Sequence, residues 1–154
     1  MLSFRAVSPA EPSAHALLEE YFAMRAEAFP GQYRTAMPSP EIFVAPAGVL
    51  LVGSDAERGD ITIGGIRRVP DGPHGARYEV KHLFTRPAAR GMGAGRAILR
   101  ELERRAREWG AQELVLDTHH TLAAAAALYA VEGFTAIDRY NENPNATRWY
   151  GKAL

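Results

Sequence analysis

The chain of 154 residues contains no cysteine. Disulfides, thiolate metal sites and a cysteine nucleophile are thereby excluded, and the absence fits a reducing compartment. Charge of one sign is also missing: 18 Lys plus Arg balance 18 Asp plus Glu. Nucleic-acid binding as a principal task needs an excess of cations to neutralise phosphates, so no nucleic-acid partner is expected. No apolar run approaches the ~20 residues of a membrane-spanning helix, so no membrane partner is expected. Met1 to Val7 lacks a basic region followed by a long apolar stretch, and no signal peptide is read there. The chain is taken as soluble and cytoplasmic. What is present is ordinary for a globular protein: 47% hydrophobic and 23% charged residues, in a length typical of one domain.

Periodicity gives an alternating order of elements. Leu2 to Val7 reads as a short strand. Glu11 to Phe29 reads as a helix with a stripe of Ala16, Leu17, Tyr21, Met24 and Ala28, ended by Pro30-Gly31. Gln32 to Pro46 carries three prolines and reads as loop with at most a short helical turn. Gly48 to Gly53 and Ile61 to Val69 form a hairpin of strands, and Pro70 to Gly75 is a loop. Arg77 to Thr85 is a strand that places Tyr78, Val80, His82 and Phe84 on one face and Glu79, Lys81 and Leu83 on the other. Gly95 to Trp109 is a helix with Ile98, Leu99, Leu102, Ala106 and Trp109 on its apolar stripe, stopped by Gly110. Glu113 to Asp117 is a strand covered on both faces. An alanine-rich helix spans Leu122 to Val131, and strands run from Phe134 to Tyr140 and from Thr147 to Leu154. No repeat or linker divides the chain. The expectation is one domain over residues 1–154, of mixed α/β (α+β) class. It has a twisted sheet of six or seven strands flanked by about four helices.

The segment Arg90-Gly91-Met92-Gly93-Ala94-Gly95-Arg96 joins a strand to a helix. Its glycines let the backbone turn with several N–H groups pointing one way, and the helix adds its free N–H groups and positive dipole end. Such a site binds an anion, usually a phosphate. The triphosphate-binding loop ends in Gly-Lys-Ser or Gly-Lys-Thr, whereas Gly95 is followed by Arg96-Ala97. The dinucleotide fingerprint is spaced G-x-G-x-x-G directly after its strand, whereas this loop is spaced G-x-G-x-G and begins later. An NAD-binding protein, with Asp117 as the ribose acid, is the weaker alternative. Simple helix capping would need only one glycine.

Leu83-Phe84-Thr85-Arg86-Pro87-Ala88-Ala89-Arg90-Gly91-Met92-Gly93-Ala94-Gly95 resembles the acetyl-CoA signature of the GCN5-related N-acetyltransferase (GNAT) family. A second segment, Ala125-x-x-Leu128-Tyr129-x-x-x-Gly133-Phe134, is similar to that family's A-x-x-L-Y-x-x-x-G-F pattern. The likeness covers Arg77 to Leu154; the N-terminal half fits in element order. It implies that Leu83, Phe84 and Thr85 lie along the pantetheine of acetyl-CoA, and that Arg90, Gly91, Met92, Gly93, Ala94, Gly95 and Arg96 hold its diphosphate. Acetyl transfer would go directly to an amine without a covalent enzyme intermediate and without a metal. Members of the family often dimerise, so a homodimer is compatible with the likeness. A catalytically silent acyl-CoA-binding sensor or interaction module is the alternative.

The same resemblance makes Tyr129 the group that protonates the departing thiolate. It makes Glu79, four residues before Leu83, the base that accepts the amine proton. A glutamate in an apolar strand is costly without a partner, and burial would raise its pKa towards a useful range. His82 is expected on the opposite face as a structural histidine. His119 and His120, following Asp117 at a strand end, are candidate proton relays or substrate contacts. Leu122 stands where many members have asparagine. The acceptor is an amine-bearing small molecule or peptide, enclosed by Tyr21 to Met37 and Tyr140 to Ala146. Within these stretches Tyr33, Arg34, Tyr140, Asn141, Glu142 and Asn143 are candidate contacts, joined by Arg148. Glu142 could attract an amine and Arg34 or Arg148 a carboxylate.

Overall fold

Each strand of the N-terminal half pairs with the next. In the computed structural model, which describes residues 1–154, β1 (Leu2–Ala6) lies antiparallel to β2 (Gly48–Asp55). In turn β2 pairs with β3 (Gly59–Gly72), and β3 with β4 (Gly75–Thr85). The sheet continues through β5 (Glu113–Thr118), β6 (Thr135–Ala136) and β7 (Arg148–Ala153), giving seven strands in the order 1-2-3-4-5-7-6. Only β4 and β5 are parallel. Helix α1 (Pro12–Ala28) covers one face; α2 (Ala94–Glu108) covers the other, and α3 (Ala123–Val131) joins β5 to β6.

The continuous apolar run of β2 serves both faces. Val49 and Leu51 pack with Ile98, Leu99 and Leu102 of α2. Leu50 and Val52 pack with Leu17 and Leu18 of α1. Alternation of side chains across a strand makes both contacts at once. Each fully buried leucine contributes roughly 1.5–3 kcal/mol. On α1 the inward positions are Ala14, Leu17, Leu18 and Arg25, with Tyr21 and Phe22 half-buried, whereas Ala16 and Ala28 are exposed. The stripe is thus rotated from the expected one, and it carries an arginine.

Three α-helices form, fewer than expected. The proline-rich stretch before β2 makes only a 3-10 turn at Pro40–Phe43, because proline removes backbone donors. The Pro70–Gly75 loop contracts: the strands reach Gly72 and Gly75, which pair across a two-residue turn. The strand expected over Phe134 to Tyr140 survives only as Thr135–Ala136, after which the chain leaves the sheet. No helix is long and apolar enough to cross a membrane.

Candidate active site

Strands β4 and β5 pair at only three positions, Arg77 with Glu113, Tyr78 with Leu114 and Glu79 with Val115. Beyond Glu79 they separate, and a cavity of about 740 Å³ opens there, bounded also by α1, α2 and α3. A β-bulge accompanies the separation. The β3–β4 register passes from Ile63↔Phe84 to Gly65↔Lys81, so His82 and Leu83 both oppose Gly64. His82 takes a left-handed backbone, φ 57°. A Cβ on Gly64 would stand 2.9 Å from Leu83 Cδ1, so a larger residue opposite the bulge would make the Leu83 side chain shift. Bulges bend the strand that carries them and interrupt its alternation. Here His82 moves to the α1 face, against Tyr21, Phe22 and Phe43, while Leu83 packs with the α2 cluster. The expectation that His82 shares a face with Tyr78 and Val80 fails for this reason.

The glycine loop forms one end of the cavity. Gly91 and Gly93 have φ 81° and 80°, and a Cβ on either would meet nothing within 4 Å. Gly93 caps α2 without a side chain, and the first helical bond runs from Ala97 N–H to Gly93 O at 2.9 Å. The N–H groups of Ala94, Gly95 and Arg96 therefore have no partner within the helix, and they lie at its positive end. The cradle fits an anion such as a diphosphate. Of the residues expected to touch the cofactor, Leu83, Phe84, Thr85, Arg90, Gly91, Gly93, Ala94, Gly95 and Arg96 line the cavity. Met92 does not; its side chain is exposed. Of the two arginines only Arg96 is paired with a carboxylate. Arg90 Nε donates to Thr85 O at 3.2 Å, and Arg96 is bound to Glu132, which Arg100 also holds at 2.9 Å.

Tyr129 lies on the wall formed by α3, together with Ala123, Ala124, Ala125 and Leu128. Burial raises its pKa above the ordinary phenol value, the Tyr21 oxygen adds to this, and no hydrogen-bond partner offsets it. The hydroxyl stays protonated at neutral pH.

Glu79 is fully buried but does not line the cavity. Its Oε1 accepts from Arg67 Nε at 2.9 Å and lies 3.6 Å from Lys81 Nζ. Its Oε2 accepts from the Tyr140 hydroxyl at 2.7 Å and from Asn141 Nδ2 at 3.3 Å. Asn141 also donates to Asp117 at 2.7 Å and accepts from Trp149 Nε1 at 3.0 Å. Both carboxylate oxygens are engaged, so a direct base role for Glu79 finds no geometric support. Lys81 spans the splay, 3.4 Å from Asp117, and both side chains reach the cavity.

At the end opposite the glycine loop stand Tyr21, Phe22, Met24, Arg25, Tyr33, Asn143 and Asn145. Of the acceptor contacts expected from sequence, only Tyr33 and Asn143 are here. Tyr140 and Asn141 serve Glu79 instead. Glu142 is exposed and paired with Arg139 at 3.5 Å. Arg34 contributes backbone contacts to Asn145, and Arg148 is exposed beside Thr147 O. His119 and His120 stack on each other at 4.3 Å and bond Thr121 and Thr147, outside the cavity lining.

Residues 14–134 match the model of the acetyltransferase (GNAT) family. The chain belongs to this family. An uncharacterised N-acetyltransferase of Schizosaccharomyces pombe is 35% identical over 99 residues, 64% of this chain and 59% of that protein. The aligned part thus spans about three fifths of that relative. A GNAT-family acetyltransferase of Staphylococcus aureus superposes with a TM-score of 0.78 at 16% identity, over 99% of both chains. An acetyltransferase of Clostridium acetobutylicum, solved with acetyl-CoA, superposes with a TM-score of 0.68 at 17% identity, over 92% of this chain and 95% of that one. These two likenesses establish a shared fold.

Within this GNAT domain, sequence reasoning overlooked Arg25, Lys81 and Asp117 as cavity residues. A signal existed for the first: Arg25 falls seven positions after Leu18, in phase with the buried stripe of α1. A charge on a buried helix face has a partner or a task. Lys81 and Asp117 emerge only once β4 and β5 are known to be neighbours.

Proposed function

We propose that this GNAT chain transfers an acetyl group directly from acetyl-CoA to the amine of a small molecule or peptide. The observation that carries the proposal is the meeting, on one cavity, of the uncapped glycine cradle and the protonated Tyr129 hydroxyl. Acetyl-CoA supplies an activated thioester. The N–H groups from Gly91 to Arg96 hold its diphosphate, and the edge of β4 at Leu83, Phe84 and Thr85, freed from β5, accompanies the pantetheine. One C–N bond forms as one C–S bond breaks. Tyr129 donates its proton to the departing sulfur; the ammonium form of the acceptor gives one proton to solvent before attack, and the second, lost as the amide forms, restores Tyr129 through solvent. Glu79 acts at one remove as a positioning residue, holding Lys81 and Tyr140.

The test is calorimetric titration of the purified protein with acetyl-CoA, with NAD as control, followed by amine-dependent release of free thiol. One-site binding and thiol release with at least one amine are expected. Folded protein that fails to bind acetyl-CoA at millimolar concentration overturns the proposal. Binding without turnover by any amine would favour a silent acyl-CoA sensor.

A further inference from the structure

Arg25 is 8% exposed, yet no carboxylate pairs with it. Its guanidinium donates to the Tyr21 hydroxyl at 3.1 Å and to Asn145 O at 3.2 Å, and it lies 5.2 Å over the Tyr33 ring. All these partners are neutral, and the remaining N–H donors are unclaimed by them. The residue lines the cavity. A buried cation without a counter-charge is costly, and proteins retain one where a ligand completes it.

The other charges at this end cancel. Lys81 lies 3.4 Å from Asp117, and Arg67 pairs with Glu79 at 2.9 Å. Arg25 leaves one uncompensated positive charge. Burial raises the pKa of Tyr21, Tyr33 and Tyr129 and lowers that of His82, all cavity residues; the Arg25 charge offsets part of the first effect and adds to the second. The surrounding surface from Tyr21, Phe22, Met24 and Tyr33 is apolar and aromatic.

We infer that Arg25 binds a carboxylate of the acceptor, and that the acceptor is an α-amino acid with an apolar or aromatic side chain. The inference rests on the acetyl-transfer reading and narrows it. A single free charge matches a monoanion, and the planar guanidinium suits a carboxylate. Tyr21 and Asn145 fix the guanidinium from α1 and from the loop before β7, so its orientation is set before the acceptor arrives. An acceptor anchored by its carboxylate presents its α-amine at a fixed distance, towards the wall that carries Tyr129. Transfer to that amine converts the cationic nitrogen to a neutral amide and leaves the carboxylate bound to Arg25.

The experiment compares acceptors that differ only in the carboxylate: L-phenylalanine with 2-phenylethylamine, and L-methionine with 3-(methylthio)propylamine. The expected kcat/KM favours the amino acids by about tenfold or more. Arg25→Met should bring that ratio close to one, and Arg25→Lys should restore part of it. A second arm needs no turnover. N-acetyl-L-phenylalanine and N-(2-phenylethyl)acetamide are titrated into the CoA-loaded protein by calorimetry, and the carboxylate should bind about tenfold more tightly to the wild type. Equal or reversed preference in the wild type overturns the inference, as does a preference unchanged in Arg25→Met. Stronger use of O-phosphoethanolamine than of either amino acid also overturns it, in favour of a phosphate. Turnover of amines without carboxylate preference would sink only this inference. Failure of every amine in protein whose second arm succeeds would sink only the acetyl-transfer reading.

Discussion

The Tyr140 hydroxyl donates to Glu79 Oε2 at 2.7 Å, joining residues 61 positions apart. Burial first, and the Glu79 charge second, hold Tyr140 as a neutral phenol, so the donor is always present. The bond ties the segment after β6 to the last paired position of β4 and β5.

Tyr140→Phe removes this donor and leaves the buried carboxylate short of one partner. Unfolding free energy should fall by about 1–3 kcal/mol, the usual cost of leaving a buried polar group short of a partner. For a chain of this size that lowers Tm by roughly 2–4 °C per kcal/mol. Urea denaturation monitored by tryptophan fluorescence checks it. A loss below about 0.5 kcal/mol, the level of an ordinary surface change, would mean that Arg67, Lys81 and Asn141 suffice.

How far such features are legible in sequence depends on their range. The glycine cradle and Tyr129 were readable because each sits in one contiguous motif with a fixed relation to a helix end. The strand carrying Glu79 was readable too, but its environment was not. Arg67, Tyr140 and Asn141 reach it from two other segments, and no local period encodes that meeting. The phase of β4 was misread after Lys81 because alternation assumes an unbroken ladder, and the bulge opposite Gly64 breaks it. Phe134 to Tyr140 alternates like a strand, yet only Ile137 N–H still bonds Trp149 O beyond β6 before the chain turns towards Glu79.

Replacing Tyr129 by Phe deletes the proposed acid while keeping the ring that packs against Phe134 and Tyr150. kcat should fall by roughly 10²–10⁴, the range of a lost general acid. Stability should change little, since no protein partner offsets the hydroxyl. The raised pKa also predicts that wild-type kcat shows no falling limb from this group between pH 7 and its ordinary value of 10. Unchanged kcat in Tyr129→Phe would remove the residue from the mechanism.

Burial, then the nearby Lys81 and Arg67 charges, depress His82 from 6.5 to about 3. The folded state keeps it neutral while the unfolded chain protonates it below 6.5. Its contribution is thus present above pH 6.5 and is lost as pH falls towards 3, with a slope of about 1.4 kcal/mol per pH unit for one proton. His82→Asn tolerates the left-handed backbone at this position and carries no titrating group. Denaturation midpoints compared at pH 7 and pH 5 should fall more steeply for wild type than for His82→Asn. Parallel losses in the two proteins would show that His82 does not titrate as its burial demands.

Gly93 separates the needs of the fold from those of the ligand. A Cβ there would meet no protein atom within 4 Å, so Gly93→Val begins its side chain in open space, but φ 80° strains any side chain. The backbone cost should be about 1–3 kcal/mol, visible as a lower Tm in an otherwise folded protein. The new side chain stands in the open cradle at the cap of α2, where the diphosphate is proposed to sit. The acetyl-CoA Kd should therefore rise by at least about tenfold, equivalent to 1.4 kcal/mol. Calorimetry on Gly93→Val well below its melting temperature makes the comparison. A folded variant with unchanged Kd would place the diphosphate elsewhere, because strain alone would lower stability without touching the affinity of the protein that remains folded.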